Sequence, residues 1–305
     1  MTTFVDVPVR VSVPATSANL GPGYDALGLA LSRRDTVTAA VAGSGVGVVV
    51  TGEGEDCLPR DTDHLVVRAM LHAFEAMGVR PPGLSVHCDN TIPQARGMGS
   101  SSAAIVAGIL AARALVAGGT LLMDEEAVYA LAAGLEGHPD NVAPALFGGC
   151  TIAYRDGGGV RVASVAVDPR IHTTVFVPPY SLETAAARQM LPASVPHADA
   201  ADNAGRSALL VAALAGQPEL LLDATEDRLH QAYREAAMPD SLQLLRRLRA
   251  DGVPAVISGA GPSVLAFSAE VDQPQLAARA PGGWTALPLA VDRGARVDLV
   301  GTLQD

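Results

Sequence analysis

The sequence has 305 residues, 49% hydrophobic content and a formal net charge of −11, so it can bury one large core or two moderate ones and is poorly suited to bind nucleic acid. Its longest apolar run, 103–117, is interrupted by Arg113 and is shorter than the about 20 residues of a membrane span. No apolar stretch follows the first ten residues, so we expect no signal peptide, a cytoplasmic location and no membrane partner.

The sequence contains no lysine, so all 21 basic residues are arginines. P-loop proteins need a lysine at the phosphates, and protein kinases need one on a strand, so both classes are excluded. The 3 cysteines are far apart and suggest neither a disulfide framework nor a zinc site. Any phosphate chemistry must therefore use backbone N–H groups, a helix N-terminus, arginine or a metal ion.

The first half of the chain alternates strand and helix patterns. Two strands are predicted around the turn 43–45, and the apolar periodicity of 65–77 predicts a helix that Thr62 or Asp63 would cap. A long helix begins at about Ser101, and another begins near Asp124 with two acids in its first turn. The predicted strands of this half are 36–41, 46–50, 85–88, 151–154 and 160–167.

A domain boundary is predicted at Asp168-Pro169, which precedes a strand over 173–177. We therefore expect domains at 1–167 and 168–305. Helices and strands alternate in the second half without a regular βαβ repeat, which indicates an α+β fold. The predicted helices there are 182–190, 204–215, 227–236 and 242–249, and the strands are 255–258 and 264–267.

The middle glycine stretch, 93–103, precedes an apolar helix. Gly97 and Gly99 let the backbone turn tightly and approach a ligand closely. The serines that follow open the helix, whose free N–H groups and dipole can bind an anion without lysine. A serine hydroxyl there could also ligate Mg²⁺. Taken alone, the stretch is better explained as an ordinary loop with a serine N-cap, because glycine motifs have many false positives.

Two further glycine stretches flank this one in the sequence. The first, 14–25, carries Asn19 and Asp25, which could accept hydrogen bonds from a substrate ammonium, although an Asx-turn loop would have the same composition. The third, 258–263, lies between two predicted strands and could approach phosphates or substrate, although taken alone it is better explained as a hairpin turn.

The order and spacing of the three stretches resemble the signature motifs of the GHMP small-molecule kinases, a family that includes galactokinase, homoserine kinase and mevalonate kinase. The resemblance runs from Val11 to Phe267. It implies a two-domain α+β fold, with an N-terminal domain like ribosomal protein S5 domain 2 and a C-terminal ferredoxin-like α/β sandwich. The segments 136–149, 183–192 and 227–234 resemble the homoserine kinases of the family, which implies L-homoserine as substrate, ATP as co-substrate and a possible homodimer.

The resemblance also implies roles for individual residues. Ser101 and Glu136 would bind Mg²⁺, although Ser102 stands where alanine is usual and leaves open which neighbouring serine does so. Asn141 and Arg188 would be catalytic. The predicted ATP-phosphate loop consists of Pro93, Gln94, Ala95, Arg96, Gly97, Met98, Gly99, Ser100, Ser101, Ser102 and Ala103. The predicted substrate pocket consists of Asn19, Asp25, His138, Thr184, Arg188, Arg234 and Gly261.

Asn141 stands where several relatives have a catalytic aspartate partnered by lysine. An amide is no general base at neutral pH, so the implied mechanism is direct attack of the substrate hydroxyl on the γ-phosphate. Asp140 stays open as a possible base. Two plainer residue roles also stay open, namely that Glu136 is a surface charge and that Arg188 pairs with Glu183. The protein could also be a threonine or mevalonate kinase, or an inactive metabolite-binding protein of the same fold.

Overall fold

The computed structural model describes residues 4–300, whose strands form one sheet of seven and one of four. Both sheets are accompanied by helices, which confirms the α+β class. The strands are β1 (Val9–Ala18), β2 (Leu27–Val41), β3 (Gly45–Gly52), β4 (Gly83–Asn90), β5 (Cys150–Arg155), β6 (Val160–Val165), β7 (His172–Val177), β8 (Ala255–Ile257), β9 (Val264–Ser268), β10 (Thr285–Leu289) and β11 (Arg296–Leu299).

Ten α-helices and three 3₁₀ helices lie between residues 4 and 300. The α-helices are α1 (Leu65–Ala76), α2 (Ser100–Leu115), α3 (Gly119–Leu122), α4 (Glu125–Glu136), α5 (Pro139–Phe147), α6 (Thr184–Gln189), α7 (His197–Gly216), α8 (Leu221–Ala224), α9 (Pro239–Ala250) and α10 (Gln273–Ala277). The 3₁₀ helices are Pro218–Leu220, Ala232–Ala237 and Glu270–Asp272. In this part of the chain no helix has the length and apolar character needed to cross a bilayer.

The first sheet has the order β11-β1-β2-β4-β3, and β5 joins the beginning of β2 and pairs with β6. The second has the order β10-β7-β9-β8. The last strand, β11, thus returns to the first sheet and pairs with β1. The division into domains at 1–167 and 168–305 stays a prediction.

The strands predicted on either side of the turn 43–45 are present, but they do not pair with each other. The strand β4 lies between β2 and β3. Because α1 crosses over between β3 and β4, these two strands are parallel. The crossover places α1 against α2, the helix that follows the middle glycine stretch.

Two local predictions were wrong. The first helix is preceded by His64, not capped by Thr62 or Asp63, and His64 makes no side-chain capping bond. The helix predicted over 227–236 is replaced by a turn followed by Ala232–Ala237. The Asp227 carboxylate accepts hydrogen bonds from the backbone N–H groups of residues 229, 230 and 231, at 2.9, 3.1 and 2.7 Å. An aspartate that bonds its own backbone in this way competes with helix formation.

Other predicted helices are present, but their first or last residues differ from the prediction. The helix predicted over 182–190 is limited to Thr184–Gln189, while that over 204–215 begins earlier, at His197. The helix predicted to begin near Asp124 is α4, and Asp124 caps it, since its carboxylate accepts a hydrogen bond from the Ala127 N–H at 2.8 Å.

The position of the middle glycine stretch depends on α2. This helix is buried along most of its length and packs against β1, β2, α1, α4 and α5. Its Cβ-free Gly108 allows the backbone of α1 at Val66 to approach closely. Because the helix body is enclosed by the core, its N-terminal turn is held rigidly at the end of the first sheet.

Candidate functional site

The three glycine stretches, far apart in sequence, contact one another. The Thr16 N–H of the first donates to the Met98 carbonyl of the middle stretch at 3.0 Å. The Ser258 hydroxyl of the third donates to the Gly97 carbonyl at 2.6 Å. The Asn19 side chain closes the set, because its amide donates to a carbonyl of the third stretch, at residue 259, at 2.8 Å.

A cavity of about 290 Å³ lies where the stretches meet. Residues from both halves of the chain line it, including every predicted catalytic, metal-binding and substrate-binding residue except Gly261: Asn19, Asp25, Ser101, Glu136, His138, Asn141, Thr184, Arg188 and Arg234. Gly261 does not line it; Gly259 and Ala260 do. A Cβ at Gly261 would meet the Met238 sulfur instead, so Gly261 packs against the protein core beside the cavity, and its contact with substrate stays a prediction.

Only part of the predicted phosphate loop faces this cavity. The lining residues are Ala95, Gly97, Met98, Gly99, Ser100 and Ser101, whereas Pro93, Gln94, Arg96, Ser102 and Ala103 lie outside the lining. The Arg96 guanidinium donates to the carbonyls of residues 94, 178 and 179 and so ties the loop to the second half of the chain. Ser102 and Ala103 are fully buried in α2.

The backbone at Gly97 and Gly99 has φ of +70° and +69°, a conformation that L side chains rarely adopt. Gly99 is the N-cap residue of α2, and the helix begins with the Ala103 N–H bonded to the Gly99 carbonyl. No acidic residue occupies its first turn. The N–H groups of that turn and the helix dipole are therefore able to bind an anion from the cavity.

Ser101 and Glu136 contact each other at the cavity wall. The Ser101 hydroxyl donates to Glu136 Oε1 at 2.9 Å, and His138 Nδ1 lies 3.8 Å from the same oxygen. The Glu136 carboxylate raises the pKa of His138. Ser101 is exposed whereas Ser102 is buried, so the geometry favours Ser101 as the metal-binding serine.

This pair of oxygen donors suits a hard cation such as Mg²⁺, which keeps few protein ligands and completes its shell with phosphates and water. Between residues 4 and 300 no group of three or more His, Cys, Asp or Glu side chains could hold a metal by itself. A cation at Ser101 and Glu136 would therefore depend on the phosphates bound at α2.

Asn141 is oriented by Thr16, a residue that the sequence analysis did not single out. The Thr16 hydroxyl donates to Asn141 Oδ1 at 2.9 Å, across 125 residues of sequence. The amide oxygen is thereby occupied, so the Asn141 NH₂ group is the part free to act as a donor. Thr16 lies within the first glycine stretch, and only its position in that motif could have indicated it.

Arg188 is paired with Asp25 rather than with Glu183. Its guanidinium donates to both Asp25 carboxylate oxygens, at 2.5 and 3.2 Å, and to the Tyr24 hydroxyl at 3.0 Å. The charges of Arg188 and Asp25 therefore largely cancel before any ligand enters.

Arg234 has a different environment. Its side chain is 1% exposed, and no carboxylate among residues 4–300 lies within salt-bridge distance of it. Its guanidinium donates to His230 Nδ1 at 2.9 Å and to the Ala187 carbonyl at 3.3 Å, and it lies 5.8 Å from the Tyr24 ring centroid. Burial lowers its pKa. A buried cation without an anion is costly, so this geometry calls for an anionic ligand.

Asp140 also lines the cavity and is 2% exposed. Its Oδ1 has no hydrogen-bond partner. Burial, and then the negative charge of Asp25, raise its pKa to about 6.

This raised pKa predicts how stability depends on pH. The folded protein holds the Asp140 proton more tightly than the unfolded chain does, because the pKa is about 6 in the first and 3.8 in the second. The stabilising contribution of protonated Asp140 is therefore complete below pH 3.8 and is lost as pH rises through about 6. Asp140→Asn should therefore raise the free energy of unfolding at pH 8 by about 1–3 kcal/mol and change it little at pH 4. Urea unfolding of both proteins at the two pH values measures this, and an equal difference at both would contradict it.

Comparisons with known proteins agree with this architecture. The family model of the GHMP kinases N terminal domain matches residues 64–149. Homoserine kinases of Streptomyces avermitilis and Streptomyces coelicolor are 55% and 53% identical to the chain, over 95% and 97% of it and 95% and 96% of their own lengths. A crystal structure of homoserine kinase from Cytophaga hutchinsonii matches it with a TM-score of 0.83 at 24% identity, over 98% of this chain and 99% of that one. The predicted GHMP kinase fold is thereby confirmed.

Proposed function

The chain belongs to the homoserine kinases of the GHMP kinase family, and on that premise we propose that it transfers the γ-phosphate of ATP to the side-chain hydroxyl of L-homoserine, forming O-phospho-L-homoserine for threonine biosynthesis. The observation that carries the proposal is Arg234, a buried cation without a carboxylate partner in the described chain, which lines the same cavity as the N-terminus of α2. One group suits an amino-acid carboxylate, and the other suits phosphates.

On the substrate side, Arg234 binds the α-carboxylate through charge-assisted hydrogen bonds. Asp25 binds the α-ammonium while Arg188 holds its carboxylate in place, which gives Arg188 a supporting part rather than that of a second free cation. Asn19, whose amide oxygen accepts from the Asp25 N–H at 2.9 Å, keeps Asp25 turned toward the cavity. His138 and Thr184 also line the cavity and add polar groups to its wall.

On the nucleotide side, the N–H groups of the first α2 turn bind the ATP phosphates, and Ser101 and Glu136 hold Mg²⁺. When bound, the cation neutralises negative charge that develops on the phosphate oxygens. Arg234 then fixes the substrate by its carboxylate, and the α2 turn fixes ATP by its phosphates, so that the substrate hydroxyl lies between these two contacts. Positioning of this kind accounts for a large part of catalysis in phosphoryl transfer.

The chemical step needs no lysine-assisted base. The hydroxyl oxygen forms the new bond to γ-phosphorus, the bond to the ADP oxygen breaks as ADP leaves, and the hydroxyl proton passes to solvent water. Asn141, whose amide oxygen is held by Thr16, directs its NH₂ donors into the cavity, where they stabilise an oxygen of the reacting groups. Arg188 acts in this step only through Asp25, whose carboxylate it holds in place.

Glu136→Gln tests the metal ligand. The substitution keeps the size of the side chain and removes its charge, so turnover should fall by about two orders of magnitude, as for the loss of one strong electrostatic stabiliser. We would measure kcat across Mg²⁺ concentrations. Glu125→Gln, in the first turn of the same helix, is the matched control. Unchanged activity and unchanged Mg²⁺ dependence would make Glu136 a bystander, with Asp140 as the next ligand to test.

The substrate is tested by a coupled ADP-release assay with L-homoserine, L-threonine and mevalonate, with and without Mg²⁺. We expect Mg²⁺-dependent turnover that is highest for L-homoserine. Turnover of threonine or mevalonate alone would assign another kinase activity to the same fold, and binding without ADP release would indicate an inactive metabolite-binding protein. A cytoplasmic location and a homodimer stay predictions.

A further inference from the structure

His230 lies directly behind Arg234 and is itself fully buried. Its Nε2 is 2.8 Å from the Gly21 carbonyl oxygen, and its Nδ1 is 2.9 Å from Arg234 Nη1. A carbonyl oxygen can only accept, so the ring proton is on Nε2. Nδ1 is then a bare lone pair, and it accepts a hydrogen bond from the Arg234 guanidinium.

The surroundings of His230 favour this neutral form. Burial lowers its pKa, and the neighbouring charge of Arg234 lowers it further. Asp227, 3.7 Å from Nε2, and Asp25 act in the opposite direction. A second ring proton would have to lie on Nδ1, where it would point at the guanidinium. The remaining neighbour is the Tyr24 ring, 5.1 Å away between centroids, which adds no charge.

The two arginines of the cavity are therefore held by opposite means. Arg188 is held by a carboxylate, which cancels its charge. Arg234 is held by the His230 lone pair and by the carbonyls of Ala187 and Gly259, at 3.3 and 3.5 Å, and these groups carry no net charge. Arg234 thus keeps a full, desolvated positive charge in a fixed direction.

We propose that His230 is a positioning residue that orients Arg234 toward the substrate carboxylate while leaving its charge available. The inference rests on the proposed function, because it takes the carboxylate of an amino-acid substrate as the anion that Arg234 receives. It adds that the acceptor behind Arg234 must be uncharged. A carboxylate at position 230 would form an internal ion pair and compete with the substrate.

Asn and Asp at position 230 form a matched pair, since they have the same shape and differ in charge. The Oδ1 of either residue can take the place of Nδ1 as acceptor. His230→Asn should keep KM for L-homoserine within about fivefold of the parent, whereas His230→Asp and His230→Leu should each raise it by about tenfold to 100-fold. KM for ATP should stay within about twofold in all three variants.

A substrate without the carboxylate, 3-aminopropan-1-ol, distinguishes the proposed positioning role of His230 from a merely structural role. Its kcat/KM should be nearly the same in parent and variants, because it makes no contact that His230 supports. Thermal unfolding and calorimetric ATP binding establish that each variant is folded. Equal losses for both substrates would overturn the inference in favour of a general packing defect.

Two other results would also overturn it. If His230→Leu kept the parental KM for L-homoserine, Arg234 would need no support from position 230. If His230→Asp performed as well as His230→Asn, a neutral acceptor would not be required. A parent that neither binds nor phosphorylates L-homoserine would overturn the proposed function together with the inference, whereas an active parent with unaffected variants would overturn the inference alone.

Discussion

Arg234→Ala should lower kcat/KM for L-homoserine by roughly 30- to 1000-fold, equivalent to about 2–4 kcal/mol, and should barely change the affinity for ATP. The truncation leaves the substrate carboxylate in a desolvated place without its cation. The effect should be large because Arg234 is 1% exposed and no competing carboxylate within residues 4–300 lies within salt-bridge distance of it. Steady-state kinetics with L-homoserine and with ATP as the varied substrate measure it.

The matched control is Arg246→Ala, which removes an exposed arginine paired with Glu235 and should have little effect. Replacing L-homoserine by 3-aminopropan-1-ol should cost the parent about as much as the Arg234 truncation does, but should cost the Ala variant much less, because both changes delete the same interaction. Additive losses would show that Arg234 does not contact the carboxylate.

Gly99→Val should abolish measurable ATP binding. Gly99 has φ of +69°, and a Cβ built on it would collide with the Thr16 hydroxyl, the group that orients Asn141. Valine is β-branched and poorly suited to this backbone conformation. The α2 turn would have to move, and with it the N–H groups that face the phosphates. Calorimetric titration of ATP into the folded variant is the measurement.

Gly118→Val is the control that separates the loss of ATP binding expected for Gly99→Val from the effect of backbone strain alone. Gly118 also precedes a helix with positive φ, +75°, but a Cβ there would meet only the Leu121 side chain at 3.9 Å. The control should lose some stability and keep parental nucleotide affinity. Parental affinity in Gly99→Val itself would remove the middle glycine stretch from the phosphate site.

Local sequence determined the parts of this protein that depend on near neighbours. A left-handed turn at Gly97 and Gly99 requires glycine, and the apolar run after Ser101 can only be stable as a buried helix, so both were predictable. The order of three glycine stretches was enough to predict the GHMP kinase fold. The absence of lysine already excluded a P-loop.

Tertiary structure decided which charges meet. Asp25 and Arg188 are 163 residues apart, and nothing in their local sequence distinguishes Arg188, which is neutralised, from Arg234, which is not. The Asp227 carboxylate holds a turn where a helix was predicted, and there His230 contacts the distant Gly21 carbonyl through Nε2 and Arg234 through Nδ1. The hydrophobic periodicity of a segment predicts its secondary structure and its buried face, but not which residue each polar side chain will contact. The partner of a buried polar group depends on the path of the entire chain, because desolvation makes each unpaired group costly and the fold must supply a partner from wherever the chain passes.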